Sequence, residues 1–457
     1  FCACPNCYGS EPNTNVCPVC MGYPGVLPVP NKEAIRKTVI AGLLTNCTIA
    51  KYSKFDRKSY FYPDMPKNYQ ISQYDLPFCA NGYIAIGGTG FSGEPMAEKK
   101  IGITRIHLEE DVAKLTHFHG ASGVDYNRAG VPLMETVSEP DMRSADEAYA
   151  YLTSLKEIFV YGGIGDCDQE KGQMRCDVNI SLRPEGQKEF GTKVELKNLN
   201  SFRAVHRAID YEIWRQSEVL SSGGTIRQET RGWNDDTGET YLMRTKEQAH
   251  DYRYFPDPDL APVVLSDEFI ADLRANLPEL PGKMRERFVE QYALTPYDAE
   301  VLTQDKEIAS YFETAAKYVK TPKTLANWII SELLRELDSS GLASCKVNAE
   351  NLGGLIALIE SGTINGKIAK EVFAEMLESG ESAKAIVDAK GLAQVSDTGA
   401  IAKIVADAIA ANPKQVQQYL DGNEKVLMYL VGQVMKLSKG KANPPMVIQL
   451  LKEQLGK

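Results

Sequence analysis

No stretch of about 18 apolar residues occurs in the sequence, so no segment qualifies as a helical membrane span. Nor is there an internal repeat or a low-complexity tract, which excludes solenoids and unstructured linkers as the organising principle. Positive charge is in deficit: 51 Lys and Arg stand against 61 Asp and Glu, for a net charge of −10. That balance argues against a general nucleic-acid binder but leaves room for a local basic patch. A Walker-A sequence is missing, so any ATP site must be of another type. Cysteine is sparse after residue 20, where only Cys47, Cys79, Cys167, Cys176 and Cys345 remain. Such scatter excludes a secreted disulfide scaffold and suits a cytosolic, cytoplasmic protein. The first residue is Phe1, and the Cys-rich segment after it has no signal-peptide pattern, so the chain reads as clipped at its start.

What is present is ordinary in bulk. The 457 residues, 43% hydrophobic and 25% charged, suffice for two to four globular domains. Residues 1–281 are rich in strand and turn signals, interrupted by helical patterns at 32–44, 144–159 and 201–220. In the second of these, Ser144 before Glu147 is a plausible cap. From residue 282 onward Ala, Leu, Lys and Glu dominate at helical spacing, for instance over 324–337 and 352–359. A composition shift near 395–399 divides this arm into 282–394 and 395–457, and Gly440 with Asn443-Pro444-Pro445 separates the last two helices. The reading is an α+β fold: an antiparallel-sheet cradle followed by an all-helical domain and a small helical tail.

Cys17 and Cys20 form a C-P-V-C knuckle of the kind that grips tetrahedral zinc. The other half is Cys2/Cys4 or Cys4/Cys7, and spacing alone favours Cys4 and Cys7. Four sulfurs leave no open position, so such a zinc would be structural. The bland alternative is free thiols in a loop.

Two segments have informative parity. In 175–183 (RCDVNISLR), Asp177, Asn179 and Ser181 oppose Cys176, Val178, Ile180 and Leu182; in 192–197 (TKVELK), Lys193, Glu195 and Lys197 oppose Val194 and Leu196. With a turn at Pro184-Glu185-Gly186 they form a hairpin whose outward faces make one polar floor. Taken alone, such a floor is the wet side of a sheet. In 101–111 (IGITRIHLEED), however, Glu110 shares parity with Ile106 and Leu108, and a carboxylate there needs a cation or a close partner. Glu110, Glu135, Asp177 and Glu195 are therefore expected to converge on Mg²⁺, which favours one or two carboxylates with substrate phosphates.

Residues 54–73 (KFDRKSYFYPDMPKNYQISQ) interleave Lys54 and Lys58 with Tyr62 and Tyr69, a pattern that suits an RNA backbone and stacked bases, or simply a solvated loop. In 422–457, six lysines against two glutamates give +4, and Lys436 and Lys439 project from a helix whose buried stripe is Leu430, Val431, Val434 and Met435. GTGFSG at 88–93 fits a dinucleotide fingerprint but leaves no room for a crossover helix, so it is a hairpin loop. His117 and His119 are surface histidines in a Gly/Ser-bounded loop.

The segment 124–135 (VDYNRAGVPLME), with Asp125, Asn127, Arg128 and Glu135 around a Gly130/Pro132 turn, resembles the signature of the GatB family, the B subunits of bacterial tRNA-dependent amidotransferases. The resemblance extends to TRIHLEED, RCDVNISLRP and KVELKNLNS, to 54–73, to 243–258 with Arg244, Lys246, Asp251, Arg253 and Tyr254, and to LVGQVMK in the tail, which is similar to a YqeY-like domain. It implies Cys2, Cys4, Cys17 and Cys20 as the zinc set, with Cys7 spare. It also implies ATP- and Mg²⁺-dependent phosphorylation of the side-chain carboxylate of Glu-tRNA(Gln) or Asp-tRNA(Asn). Lys193, Arg128 and Lys197 would then hold phosphate, and Asn127, Asn179, Ser181 and Arg244 would line the nucleotide. Lys54, Lys58, Tyr62, Tyr69, Lys436 and Lys439 would meet the misacylated tRNA. No Ser–Lys amidase signature is present, so ammonia would come from the glutaminase partner GatA, with GatC bracing the pair. Family members carry a G-L-E-x-H strand ahead of the point where this chain starts, whose Glu and His are expected at the metal and substrate site. The rival expectation is a zinc-containing tRNA-binding module that does no chemistry.

Overall fold

The computed structural model describes residues 1–245, 252–338, 340–393, 398–438, 442 and 444–456. Two compact units emerge, Phe1–Leu280 and Pro281–Lys457. The first is α+β and the second is all helical.

In the first unit a four-stranded antiparallel sheet runs in the order Thr48–Ile49, Cys79–Thr89, Pro95–Glu110, Pro132–Ser138. The GTGFSG stretch closes the hairpin between its two long strands, with Thr89 opposite Pro95 and Gly90 N donating to Glu94 O at 2.8 Å. A bulge interrupts the Pro95–Glu110 strand where the register passes from Ile103↔Ser138 to Arg105↔Val137. Beyond it alternation is regular, with His107 directly opposite Glu135 and Leu108 opposite Met134. Residues 106–110 are all buried, because both faces of this end of the strand are covered. That is why one face can be apolar, with Ile106 and Leu108, while the other carries ionisable groups.

A second four-stranded sheet follows the order Val178–Ile180, Val194–Lys197, Glu229–Asn234, Glu239–Thr245. The first pair is the expected hairpin, with Asn179 opposite Glu195, and the middle pair is parallel. Helices Lys32–Leu44, Ala145–Tyr161 and Phe202–Ser221 pack around one core that joins both sheets. Their starts follow from local chemistry: the side chains of Asn31, Ser144 and Ser201 accept hydrogen bonds from backbone N–H groups of the first turn.

The helical unit holds two hydrophobic clusters. One gathers Phe288, Phe312, Leu325, Leu352 and Met376; the other gathers Ile401, Val405, Leu430, Val434 and Leu451. The pattern at 324–337 yields helix Pro322–Trp328, a wider π turn over Ile329–Leu333, and a last helical turn at Leu334–Glu336. Lys436 is exposed on helix Val426–Leu437, with Leu430, Val431 and Val434 buried. Lys439, Gly440, Asn443, Lys246, Asp251 and the 395–397 part of the composition shift lie outside the described residues. Among the described residues no helix is long and apolar enough to cross a membrane.

Candidate metal centres and the polar floor

Among the described residues, two groups of three or more metal-type side chains bring their ligand atoms within 4.8 Å of one another: Cys2, Cys4, Cys17 and Cys20, and His107, Glu109 and Glu135. In the first, Cys17 and Cys20 Sγ atoms are 3.8 Å apart. Zn–S bonds of about 2.3 Å in a tetrahedron put sulfurs about 3.8 Å apart, so the donor set fits zinc. Burial disfavours the Cys17 thiolate, yet backbone N–H groups of Cys20 and Val19, with the Cys4 thiol, overcome it and bring its pKa down to about 7. Cys7 is exposed and outside the group.

The Cys loop is held by the 124–135 segment. Asn13 N donates to Asp125 Oδ1 at 3.1 Å and Asn13 Nδ2 to Val124 O at 2.9 Å. Asn15 N donates to Asn127 Oδ1 at 2.9 Å, and Asn127 Nδ2 to Glu11 O at 2.8 Å. Asn127, expected to line the nucleotide, is thus a clamp on the Cys loop, because its amide group is engaged at both ends. Gly130, at φ +84°, sits so close that a Cβ there would lie 3.0 Å from Cys20 Cβ. Arg128 turns to Asp111, with Nε 3.8 Å from its carboxylate, and Arg175 reaches the same carboxylate at 2.9 Å.

The second group lies on the long strand. His107 and Glu109 share one face, and Glu135 joins them from the neighbouring strand because residues directly opposite in an antiparallel pair point to the same side. His107 Nε2 is 3.4 Å from Glu109 Oε2, and Ser72 Oγ donates to the same oxygen at 3.4 Å. Glu109 is 7% exposed, whereas Glu135 opens to solvent. A buried and an exposed carboxylate suit a hard cation that keeps water and substrate oxygens. Tyr254 feels the charge of this group: burial, then Glu109 and Glu135 among its neighbours, push its phenol up to about 12. Its ring stacks on Tyr74 at a centroid distance of 4.5 Å, and Tyr252 and Tyr60 extend the aromatic wall.

The four carboxylates expected as one ligand shell are therefore divided. Glu110 does share the apolar side, but Lys67 neutralises it there, and Ile71 N donates to it at 3.4 Å. Both side chains of this ion pair are at least 93% buried, since exposures are 7% for Lys67 and 2% for Glu110. Lys67→Met should lower stability by about 3–5 kcal/mol by stranding a buried carboxylate, and adding Glu110→Leu should recover most of it. Thermal unfolding of both variants checks this; equal midpoints would refute it.

Asp177 and Glu195 occupy the polar floor. Lys197 pairs with Asp177 and lies 3.6 Å from Glu195, whose other oxygen accepts from Thr230 Oγ1 at 2.8 Å. Arg244 Nε reaches Thr230 Oγ1 at 3.4 Å. Asn179 and Lys193 are exposed and Ser181 is half-buried at the strand end. Arg175, two residues before Asp177, bonds Asp111, two residues after Glu109, so the floor is anchored to the strand that carries the second metal-type group.

Most of the basic cluster at 54–73 is internally neutralised. Lys54 is paired with Asp56 and Asp75, and Arg57 with Asp257 and Asp259. Tyr69 lies under the Arg57 guanidinium, 4.1 Å from ring centroid to carbon. Lys54 and Tyr69 are thus engaged within the fold, whereas Lys58 lies 4.9 Å over the Tyr252 ring and Tyr62 is exposed. Sequence reasoning misses His107 and Glu109, although a signal for them is there: R-x-H-x-E places three polar residues on one strand face.

Residues 1–271 match the model of the GatB/GatE catalytic domain, and residues 310–455 match that of the GatB domain. Proteins named as the B subunit of aspartyl/glutamyl-tRNA(Asn/Gln) amidotransferase align over 100% of this chain. That of Carboxydothermus hydrogenoformans is 54% identical with 95% of its length covered. Those of Thermoanaerobacter pseudethanolicus and Persephonella marina are each 53% identical, with 96% and 95% covered.

Proposed function

Because the chain belongs to the GatB family, we propose that it is the kinase and transamidase component of a tRNA-dependent amidotransferase acting on Glu-tRNA(Gln), Asp-tRNA(Asn) or both. The observation that carries this reading is the His107–Glu109–Glu135 group, which falls within the matched catalytic domain. A side-chain carboxylate resists amidation because oxide is a poor leaving group. Transfer of the γ-phosphoryl of ATP to a carboxylate oxygen gives an acyl phosphate and ADP. Ammonia then attacks the acyl carbon, and inorganic phosphate leaves as the amide forms.

A Mg²⁺ ion on Glu109 and Glu135 would neutralise the transferring phosphoryl group. The chain's own residues orient and hold. His107 fixes the buried Glu109 carboxylate, while Lys197, Lys193 and Arg244 give the floor cations for phosphate oxygens. Glu195 and Asp177 set the position of Lys197. The Tyr74–Tyr254 stack offers planar faces for a base. Zinc on Cys2, Cys4, Cys17 and Cys20 would be structural.

In this reading residues 1–281 do the chemistry, 282–394 form a helical connector, and 395–457 meet tRNA through Lys436. Ammonia reaches the site from a glutaminase partner, GatA, with GatC as the third component. The test is phosphate release from ATP by the assembled enzyme with and without misacylated tRNA. Release that depends on the aminoacyl group is expected, and tRNA binding with no ATP cleavage would favour a docking module instead.

A further inference from the structure

We propose that Arg105 is an oxyanion receptor of the reaction, gripping a phosphate or carboxylate group beside His107, Glu109 and Glu135. This rests on the reading of that group as the metal centre. The bulge ends at Arg105, and from there Arg105, His107 and Glu109 alternate onto one face. The guanidinium Nε of Arg105 is sealed from solvent and has no hydrogen-bond partner among the described residues, and the same holds for Nδ1 of His107, a residue only 3% exposed.

Among the described residues no carboxylate pairs with Arg105, whereas Arg57, Arg175, Arg215 and Arg231 each have acidic partners. Glu135, on the neighbouring strand, likewise has no hydrogen bond or ion pair among them. A cation and a carboxylate at diagonal positions on one face of neighbouring strands, both left unengaged among the described residues, are arranged for something that bridges them. A structural arginine would have been neutralised, because an unpaired N–H out of water is a standing cost. The planar fork of a guanidinium fits two oxygens of a carboxylate or phosphate. With a cation on Glu109 and Glu135, an anion at Arg105 would meet positive charge on both sides. Two oxyanions qualify, the ATP phosphates and the side-chain carboxylate of the aminoacyl group.

In the assembled enzyme, Arg105→Gln should lower kcat/KM about 100-fold, with Arg105→Lys intermediate because it keeps charge but loses the fork. Equilibrium dialysis with a non-hydrolysable ATP analogue separates the sources. A fall in its affinity of about tenfold or more assigns the phosphates. Unchanged nucleotide affinity, with weaker binding of misacylated tRNA and unchanged binding of uncharged tRNA, assigns the carboxylate. If Arg105→Gln alters none of these by more than about twofold, the proposal falls. Thermal midpoints should match the parent, since no partner is lost; if the Gln variant melts early, the Lys variant carries the same measurements. Glu109→Gln is the control: if it abolishes ATP cleavage while Arg105→Gln is silent, only Arg105 is wrong, and if it too is silent, the metal-centre reading itself fails.

Discussion

Glu135→Gln and Glu109→Gln, each in the assembled enzyme, are expected to slow aminoacyl-tRNA-dependent ATP cleavage by about 10²- to 10³-fold while tRNA affinity stays nearly constant. The magnitude follows from the several kcal/mol of charge stabilisation that a bound cation supplies at a phosphoryl group, at about 1.4 kcal/mol per factor of ten. The two substitutions should differ in kind. Glu135 is exposed and has no partner among the described residues, so its loss weakens the cation's hold and excess Mg²⁺ restores part of the rate. Glu109 is buried against His107 and Ser72, so its amide also disturbs their orientation and excess cation restores less. Glu110→Gln, by contrast, should act on stability, through Lys67. Phosphate release and filter binding of misacylated tRNA, measured across Mg²⁺ concentrations, read all three. Full turnover in Glu135→Gln would remove the group from the chemistry.

The second large effect concerns the Cys group. Cys20→Ala should abolish stoichiometric zinc and lower the melting midpoint by on the order of 10 °C, since metal binding to such a set is worth several kcal/mol and more. Cys20 is 1% exposed, and the loop it closes is pinned to Asp125 and Asn127. Loss of the metal should therefore be felt at Arg128 and Asp111, and through Arg175 at the polar floor. Cys7→Ala should be silent, because Cys7 stands outside the group. Gly130→Ala should act in the same direction as Cys20→Ala and less strongly: its φ of +84° disfavours a side chain, and its new methyl would press on Cys20 and Cys2. Metal content by mass spectrometry alongside thermal unfolding checks the series. Zinc retained at one equivalent in Cys20→Ala would overturn it.

The helices at 32–44, 144–159 and 201–220 were legible within two residues from their helical spacing, and in the structure each begins at a side chain that caps it. The hairpin carrying Asp177 and Glu195 was legible from alternation, which is a local property of a pleated strand. Less was legible where function depends on which strand lies beside which. Nothing along the chain states that His107 stands opposite Glu135.

By itself, then, the order of residues determined the local elements, the family likeness, and the chemical types available. Packing alone decided how those types were used, since a charge in a folded chain is committed by its nearest neighbour. Lys67 claimed Glu110, Asp56 and Asp75 claimed Lys54, and the Cys loop claimed Asn127. Coulomb energy falls with separation in space, and separation in space is indifferent to the 43 positions that part Lys67 from Glu110 along the chain.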